Sequence, residues 1–403
     1  MLRQEVIDKL VDKLVERIEN TNRYILEEIA NAIRMIGEVD ISRAESLVQI
    51  LKYGGDYNKI AVELAKMTNL NVEDIDKIFE GIARNNYQFA EKYYLYKDVN
   101  YLPYEQNLAL ISQVEAITRT AVKDYINLSK TSAIGYGLQD MNGNVVFTGI
   151  QDTYNQIIDE AIISIRQGKE TFNSVMNSRL KELAHSGLKV IYPSTYLKRN
   201  DKGELVEVHR TRRLDTAVRM NVNDGINQLH NATQEIIGEQ IQSDGVEITV
   251  HFNPAPDHEK LQGKQFSNEE YEQLNMGNRA VAYDKTVIGT DLRRRPIGEL
   301  NCQHRIYKVI LGVDNPSYTN EELERIREVN NKGFTYEDKH YTNYEGEQLL
   351  RQVQLKIREQ EDIKAMGSVG DRTELLNSSS KKLRLLRRKE REIKGLIRES
   401  TKW

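Results

Sequence analysis

Val6, Ile7, Leu10, Val11, Leu14, Val15 and Ile18 recur at spacings of three and four, and Ile25, Ile29, Ile33 and Ile36 continue the stripe. No other feature constrains the chain as much. A period near 3.6 makes one side of a helix apolar, and that side must be covered by a partner. The polar run at residues 20–22 reads as a break between two helices. Shorter helical patterns follow at residues 41–51 and 71–82. Asn71 is placed to cap the second, with Glu73 and Asp74 in its first turn. A longer helix is expected from Pro103, a residue favoured at the first helical position. Leu110, Val114, Ile117, Ala121 and Tyr125 form its stripe. Residues 1–130 are therefore expected to be all-helical.

The pattern then changes. Asn142-Gly143, followed by Val-Val-Phe, predicts a hairpin. Helical periods occupy residues 152–166 and 171–185, and residues 188–192 read as a strand. Turn chemistry at 200–203 separates two further strand patterns, 196–198 and 205–209. A helix is expected over 215–242, then strands at 246–252 and 305–311. Ser267 with Glu270, and Thr319 with Glu322, have the spacing of capping boxes. Residues 131–340 thus predict a compact α/β domain with a small sheet. From residue 341 the sequence is helical and highly charged, interrupted at Gly367 and Gly370. A final helix over 379–398 carries nine basic residues against Glu390 and Glu392 from Lys381 onward. The expected class is α+β: an extended all-helical N-terminal region, the α/β domain, and a charged helical tail (341–403).

Charge and cysteine content narrow the function. The net charge of -4 does not mark the whole chain as a nucleic-acid binder, and the single cysteine, Cys302, excludes an internal disulfide. No window reaches the roughly 20 apolar residues of a membrane helix, and charges interrupt the N-terminus too early for a signal peptide. The chain is expected to be a soluble product of a cytosol. Tyrosine outnumbers phenylalanine, 21 to 7. The cluster Tyr87, Tyr93, Tyr94, Tyr96, Tyr101 and Tyr104 is expected to pack between helices or at an interface.

Four residues stand out as candidate metal ligands: His251, His258, Cys302 and His304. Cys302 and His304, two apart, project to one face of an extended segment. Imidazole and thiolate are natural zinc ligands, and four of them complete a tetrahedral site. Asp257 is placed to orient a histidine. The same side chains also suit hydrogen bonding to backbone, pinning the loop, and both readings stay open. Arg293–Arg295 and the cluster Arg210, Arg212, Arg213 and Arg219 suit either anion contact or ion pairing. The basic helix offers Lys381, Lys382, Arg384, Arg387, Arg388 and Lys389 to DNA phosphates or to an acidic partner, with Leu383, Leu386 and Ile393 as an apolar side. No phosphate-binding loop, nucleophile elbow or His-Glu-x-x-His pair occurs.

Several separated motifs share one order. Residues 213–222 (Arg-Leu-Asp-Thr-Ala-Val-Arg-Met-Asn-Val) precede a strand ending at His251, then Pro256-Asp-His258, Gln262-Gly263, and Asn301-Cys-Gln-His304 with Tyr307 and Gly312 beyond. Over about residues 170–315 this resembles the phage minor capsid protein 2 family, broadly similar to the Mu F-like head-morphogenesis proteins. The chain departs from the family pattern at residues 252–255 and in the loop 291–295. The resemblance implies a tailed-phage head protein, located in the virion and assembled in the host cytoplasm. Its implied partners are the portal protein and the capsid interior, and its implied role is in head morphogenesis, packaging or DNA delivery. Packaged DNA is a further candidate partner, through the basic tail. A non-enzymatic role is expected. The alternative is a metal-dependent enzyme or toxin-like effector packaged in the head, working through His251, His258, Cys302 and His304.

Overall fold

The computed structural model describes residues 4–53, 56–140, 143–199, 205–251, 253–254, 258–283, 296–299, 302–313 and 315–401. The first apolar stripe forms one uninterrupted helix, α1 (Gln4–Glu38). The expected break at residues 20–22 does not occur, because Thr21 and Asn22 are buried and Asn22 finds partners across the fold. Its carboxamide oxygen accepts from Tyr136 Oη at 3.0 Å and from the Leu188 backbone N–H at 3.1 Å. Its amide donates to Asp362 Oδ2 at 2.9 Å. A buried polar group with its partners in place costs little, so the helix runs on.

After α2 (Ile41–Tyr53), α3 spans Asp56–Phe89. Asn71 is not a cap. It lies inside α3, fully buried, donating to Leu14 O and Tyr125 Oη and accepting from Arg17 Nη1. The short α4 (Glu91–Tyr96) follows. Pro103 precedes a single 3-10 turn, and Asn107 starts α5 (Leu108–Ser129) instead, accepting from the Leu110 N–H at 3.1 Å. Five of the six clustered tyrosines, all but Tyr96, pack as expected. Tyr87 stacks on Tyr101 with centroids 5.1 Å apart, and Tyr94 meets Tyr101 edge-on. Tyr96 points to solvent.

The larger sheet has the order β2-β1-β3-β4, all antiparallel, from β1 (Ile134–Gln139), β2 (Val145–Gly149), β3 (Lys189–Arg199) and β4 (Leu205–Arg213). In the first hairpin Gly143 takes φ +81°, the left-handed region that a tight turn needs; Asn142 lies outside the described residues, as does the turn 200–203. Helices α6 (Ile150–Arg166) and α7 (Lys169–Ser186) connect β2 to β3 and pack on each other and on α1.

α8 (Leu214–Ile241) is the central helix, packed against α1, α3 and α5. The second sheet, β6-β5-β7, joins β5 (Gly245–Ile248), β6 (Gln265–Ser267) and β7 (Ile306–Val309), again antiparallel. α9 (Asn268–Tyr283) and α10 (Asn320–Lys332) begin at the two expected capping boxes: Ser267 and Glu270 exchange bonds of 3.2 and 2.8 Å, and Thr319 and Glu322 do likewise. A hairpin of β8 (Phe334–Tyr336) and β9 (Lys339–Tyr341) leads into α11 (Asn343–Val369) and α12 (Thr373–Ser400), which pack as a helical hairpin. Gly367 permits their close approach, since a Cβ there would sit 2.9 Å from the Leu376 nitrogen.

The architecture is α+β, with helical N-terminal and C-terminal regions around small antiparallel sheets. One apolar core runs from Ile7 through α1, α3, α5, β1, α6, α7, β3 and α8 to Leu375, crossing residue 130 without interruption. A second core joins Phe334, Leu350, Val353 and Ile357 to Leu383, Ile393 and Ile397. The apolar side of the basic helix is therefore covered by α11. A third, small core of Val246, Ile248, Ile297 and Ile306 lies against the three-stranded sheet and positions the histidine cluster.

Candidate metal centre and basic helix

The chain leaves β5 and returns through β7 on neighbouring strands, so the segment after Ile248 runs beside the segment before Ile306. Thr249 N–H donates to Arg305 O at 3.0 Å, and Arg305 N–H donates to Thr249 Oγ1 at 2.8 Å. This ladder sets Cys302 and His304 opposite the turn that His258 opens, whose carbonyl accepts from the N–H groups of Leu261 and Gln262. His258, Cys302 and His304 are only 3%, 5% and 2% exposed. Cys302 Sγ lies 3.4 Å from His258 Nδ1 and 3.4 Å from His304 Nδ1. One ligand atom from each of the three falls within 4.8 Å of the others. His251, the fourth expected member, is not in that group. Its ring stands beside His304 with centroids 5.6 Å apart. Asp257 and Arg293–Arg295 lie outside the described residues.

Burial alone would push the Cys302 thiol up. Hydrogen bonds from His258 and His304, with their positive charge, outweigh it and hold the thiol well below its ordinary value. Burial, reinforced by the charge of His304, brings His251 down to about 3, so its ring is neutral. Gln262 fixes the tautomer of His304. Its Oε1 accepts the backbone N–H of His251 at 3.0 Å, and a backbone N–H can only donate, so this atom is the oxygen. The same oxygen lies 3.1 Å from His304 Nε2, which must therefore carry the proton. When the ring is protonated, Nδ1 donates to the Cys302 sulfur; when the ring is neutral, Nδ1 is the nitrogen without a proton and offers its lone pair on that side.

Three residues behind the cluster were not legible as part of it. Asn227 Nδ2 donates to Cys302 O at 2.9 Å. Arg305 Nη1 donates to the Asn227 side-chain oxygen, to Cys302 O at 3.2 Å and to His304 O at 3.4 Å, although burial pushes its guanidinium pKa down. His230 donates from Nε2 to Ile306 O at 2.8 Å, so its Nδ1 accepts from Asn86 Nδ2 at 2.9 Å. Burial holds this neutral imidazole at a pKa of about 3. The available signal was the polar series Asn223, Asn227, His230 and Gln234, spaced four, three and four apart on a helix that is buried along its length. Polar groups recurring at helical period on a buried helix need internal partners.

The arginines at the start of α8 form ion pairs. Arg213 meets Asp215 at 3.2 Å, Arg219 meets Asp12 at 2.5 Å, and Arg358 of α11 reaches both Asp215 and Glu19. The basic helix is partly neutralised as well. Arg387 pairs with Glu361, Arg388 with Glu392 and Lys389 with Glu337. Lys381, Lys382 and Arg384 have no ion pair among the described residues.

The order of motifs agrees with the comparison of the whole chain with known families. The model of the family described as phage minor capsid protein 2 matches residues 2–394, and the chain belongs to that family. The match extends well beyond residues 170–315 and takes in both helical ends. The protein is accordingly a structural capsid protein of the phage virion, a setting in which it meets other virion components. No curated protein and no solved structure matches the chain. No helix among the described residues is long and apolar enough to cross a membrane.

Proposed function

We propose that this chain is a low-copy, portal-associated component of a tailed-phage head that acts in head morphogenesis, DNA packaging or ejection by binding other virion components rather than by turnover. The observation that favours binding over catalysis is the closure of the His258–Cys302–His304 cluster, each member at most 5% exposed. A catalytic metal or nucleophile needs an open position for substrate. The packaged-enzyme alternative would need this cluster to open. Assembly takes place in the host cytoplasm, and the chain then resides in the head.

Quantitative mass spectrometry of purified, DNA-filled particles tests the proposal, with cross-linking to identify neighbours. The expected result is a few to about a dozen copies per particle, set by the symmetry of a closed ring rather than of the shell, with cross-links to the portal. Absence from particles and from their precursors, with abundance in the infected-cell lysate, would sink it.

Contact with packaged DNA would run through the part of α12 whose charges have no ion pair among the described residues. Replacing Lys381, Lys382 and Arg384 together by alanine is expected to lower the slope of log affinity for duplex DNA against log salt by about 3. The same replacement at Arg387, Arg388 and Lys389, already paired to carboxylates, is expected to change it less. No effect of either triplet would remove DNA from the list of partners, and equal effects would mean that the carboxylate pairs do not shield Arg387, Arg388 and Lys389 from it.

A further inference from the structure

We propose that His258, Cys302 and His304 bind one structural zinc ion, with His251 as the fourth ligand, and that this ion ties the segment after β5 to the segment before β7. The inference goes beyond the capsid role and does not depend on it.

Distance is the first argument. Zinc bonds of about 2.3 Å to sulfur and about 2.05 Å to nitrogen, at a tetrahedral angle, place the two donor atoms about 3.5 Å apart. Both Sγ–Nδ1 separations are 3.4 Å. Two imidazoles on one tetrahedral ion have ring centroids roughly 5 Å apart by the same geometry. The His258 and His304 centroids are separated by 5.3 Å and those of His251 and His304 by 5.6 Å. The His251 ring thus stands at the separation from His304 that a third imidazole ligand would have, and completing the shell requires it to turn.

The second argument is the direction of the lone pairs. Gln262 Oε1 accepts a hydrogen bond from Nε2–H of His304, which leaves Nδ1, on the side of the sulfur, as the lone-pair donor to a cation when the ring is neutral. One carboxamide oxygen therefore serves two ligands, holding the His304 ring and the His251 backbone. Asn227 and Arg305 hold the Cys302 carbonyl from behind, which fixes the thiol without occupying it. One thiolate with imidazoles in a tetrahedral arrangement suits zinc, whereas magnesium and calcium need oxygen donors.

The third argument is the length of chain enclosed. His258 and Cys302 are 44 residues apart, and among the described residues a three-stranded sheet, the small core of Val246, Ile248, Ile297 and Ile306, and side-chain bonds from α8 and α9 pin this part of the chain. A cross-link that closes so long a loop removes much unfolded-state freedom.

The full chain, expressed with trace zinc and purified without chelator, provides the test. Elemental analysis is expected to give one zinc per chain. Cys302 should resist alkylation until a strong chelator is added, and cobalt exchange should produce a thiolate-to-cobalt charge-transfer band. His258→Gln and Cys302→Ser are expected to lower zinc affinity by about ten-fold or more, and His251→Gln by less, because three ligands remain. The wild-type chelator experiment decides the matter even if the variants fail to fold. A metal-free chain with an unchanged melting temperature after chelation would leave a hydrogen-bonded cluster and overturn the proposal. Zinc retained in full by Cys302→Ser would mean an adventitious ion only, and would overturn it as well.

Discussion

Asn22→Ala is expected to destabilise the protein by about 3–5 kcal/mol, seen as a lower urea midpoint with an unchanged m-value. The side chain is 3% exposed and satisfies three groups from three distant segments. Its loss leaves the Tyr136 hydroxyl and the Leu188 N–H, both buried, without the acceptor they share. It also takes from Asp362 a donor at 2.9 Å. Each buried polar group left unpaired costs about 1–3 kcal/mol, and a small cavity adds to that. Asn22→Asp separates the causes, because it keeps the acceptor, loses the donor and sets a second carboxyl against Asp362. That variant should be nearly as damaging as Asn22→Ala at pH 8 and much milder at pH 5, where the pair can share a proton. A loss below about 1 kcal/mol in Asn22→Ala would show that water or a neighbour replaces the carboxamide.

Asn22 and Asn71 also show where sequence reasoning fails and why. Asparagine is a favoured helix cap because its side chain competes for backbone N–H groups, so an asparagine between two apolar runs reads as a boundary. Nothing within a few residues distinguishes that case from an asparagine whose partners lie far along the chain. Asn71 bonds residues 57 and 54 positions away, and Asn22 reaches residues 114, 166 and 340 positions away. Local signals did specify local structure. Thr319 with Glu322, and Ser267 with Glu270, start helices where their spacing places them. The first hairpin closes through Gly143 with Gln139 opposite Val145.

The candidate site divides along the same line. Cys302 and His304 were legible as a pair because two residues on an extended segment share a face. His258 was drawn in by its residue type and by the motif order, and the structure brings the three together. Gln262 was quoted only as part of a motif, and its control of the His304 proton needs the fold. Arg305 and Asn227 hold the Cys302 loop across 78 residues; the helical spacing of Asn227 marks it as needing an internal partner but does not say which. The basic helix was legible as charge but not as paired charge, since Glu337 and Glu361 are 52 and 26 residues from the cations they meet.

Asp362 gives the second large effect, a loss of stability as pH rises. The residue is 4% exposed between α1 and α11, and burial is the main influence on it. The charges of Arg23 and Arg213 work in the other direction, Glu19 adds to the penalty, and the carboxyl ends near a pKa of about 7. Arg23 reaches it at only 3.4 Å, and the Arg23 side chain is 32% exposed, which explains why the pairing does not overcome desolvation. An aspartate in the unfolded chain titrates near 3.9. Below about pH 4 both states are protonated and this residue imposes no penalty. Between about pH 4 and pH 7 the unfolded chain releases the proton while the folded chain keeps it, so folding loses free energy steadily. Above pH 7 both states are ionised and the loss is complete, at about 4 kcal/mol for three pKa units. Asp362→Asn keeps an acceptor for the Asn22 amide and cannot ionise. The difference in unfolding free energy between Asp362→Asn and the wild type should therefore move in the variant's favour by up to about 4 kcal/mol between pH 4 and pH 8. Other groups titrate over the same range, including the buried neutral His230, whose contribution is lost as pH falls through 6.5 towards 3. They are common to both proteins and cancel in the difference. Urea midpoints of the two chains across this range supply the measurement. A flat difference would mean that Asp362 ionises as easily folded as unfolded, and that Arg23 and Arg213 hold its charge at the α1–α11 contact despite burial.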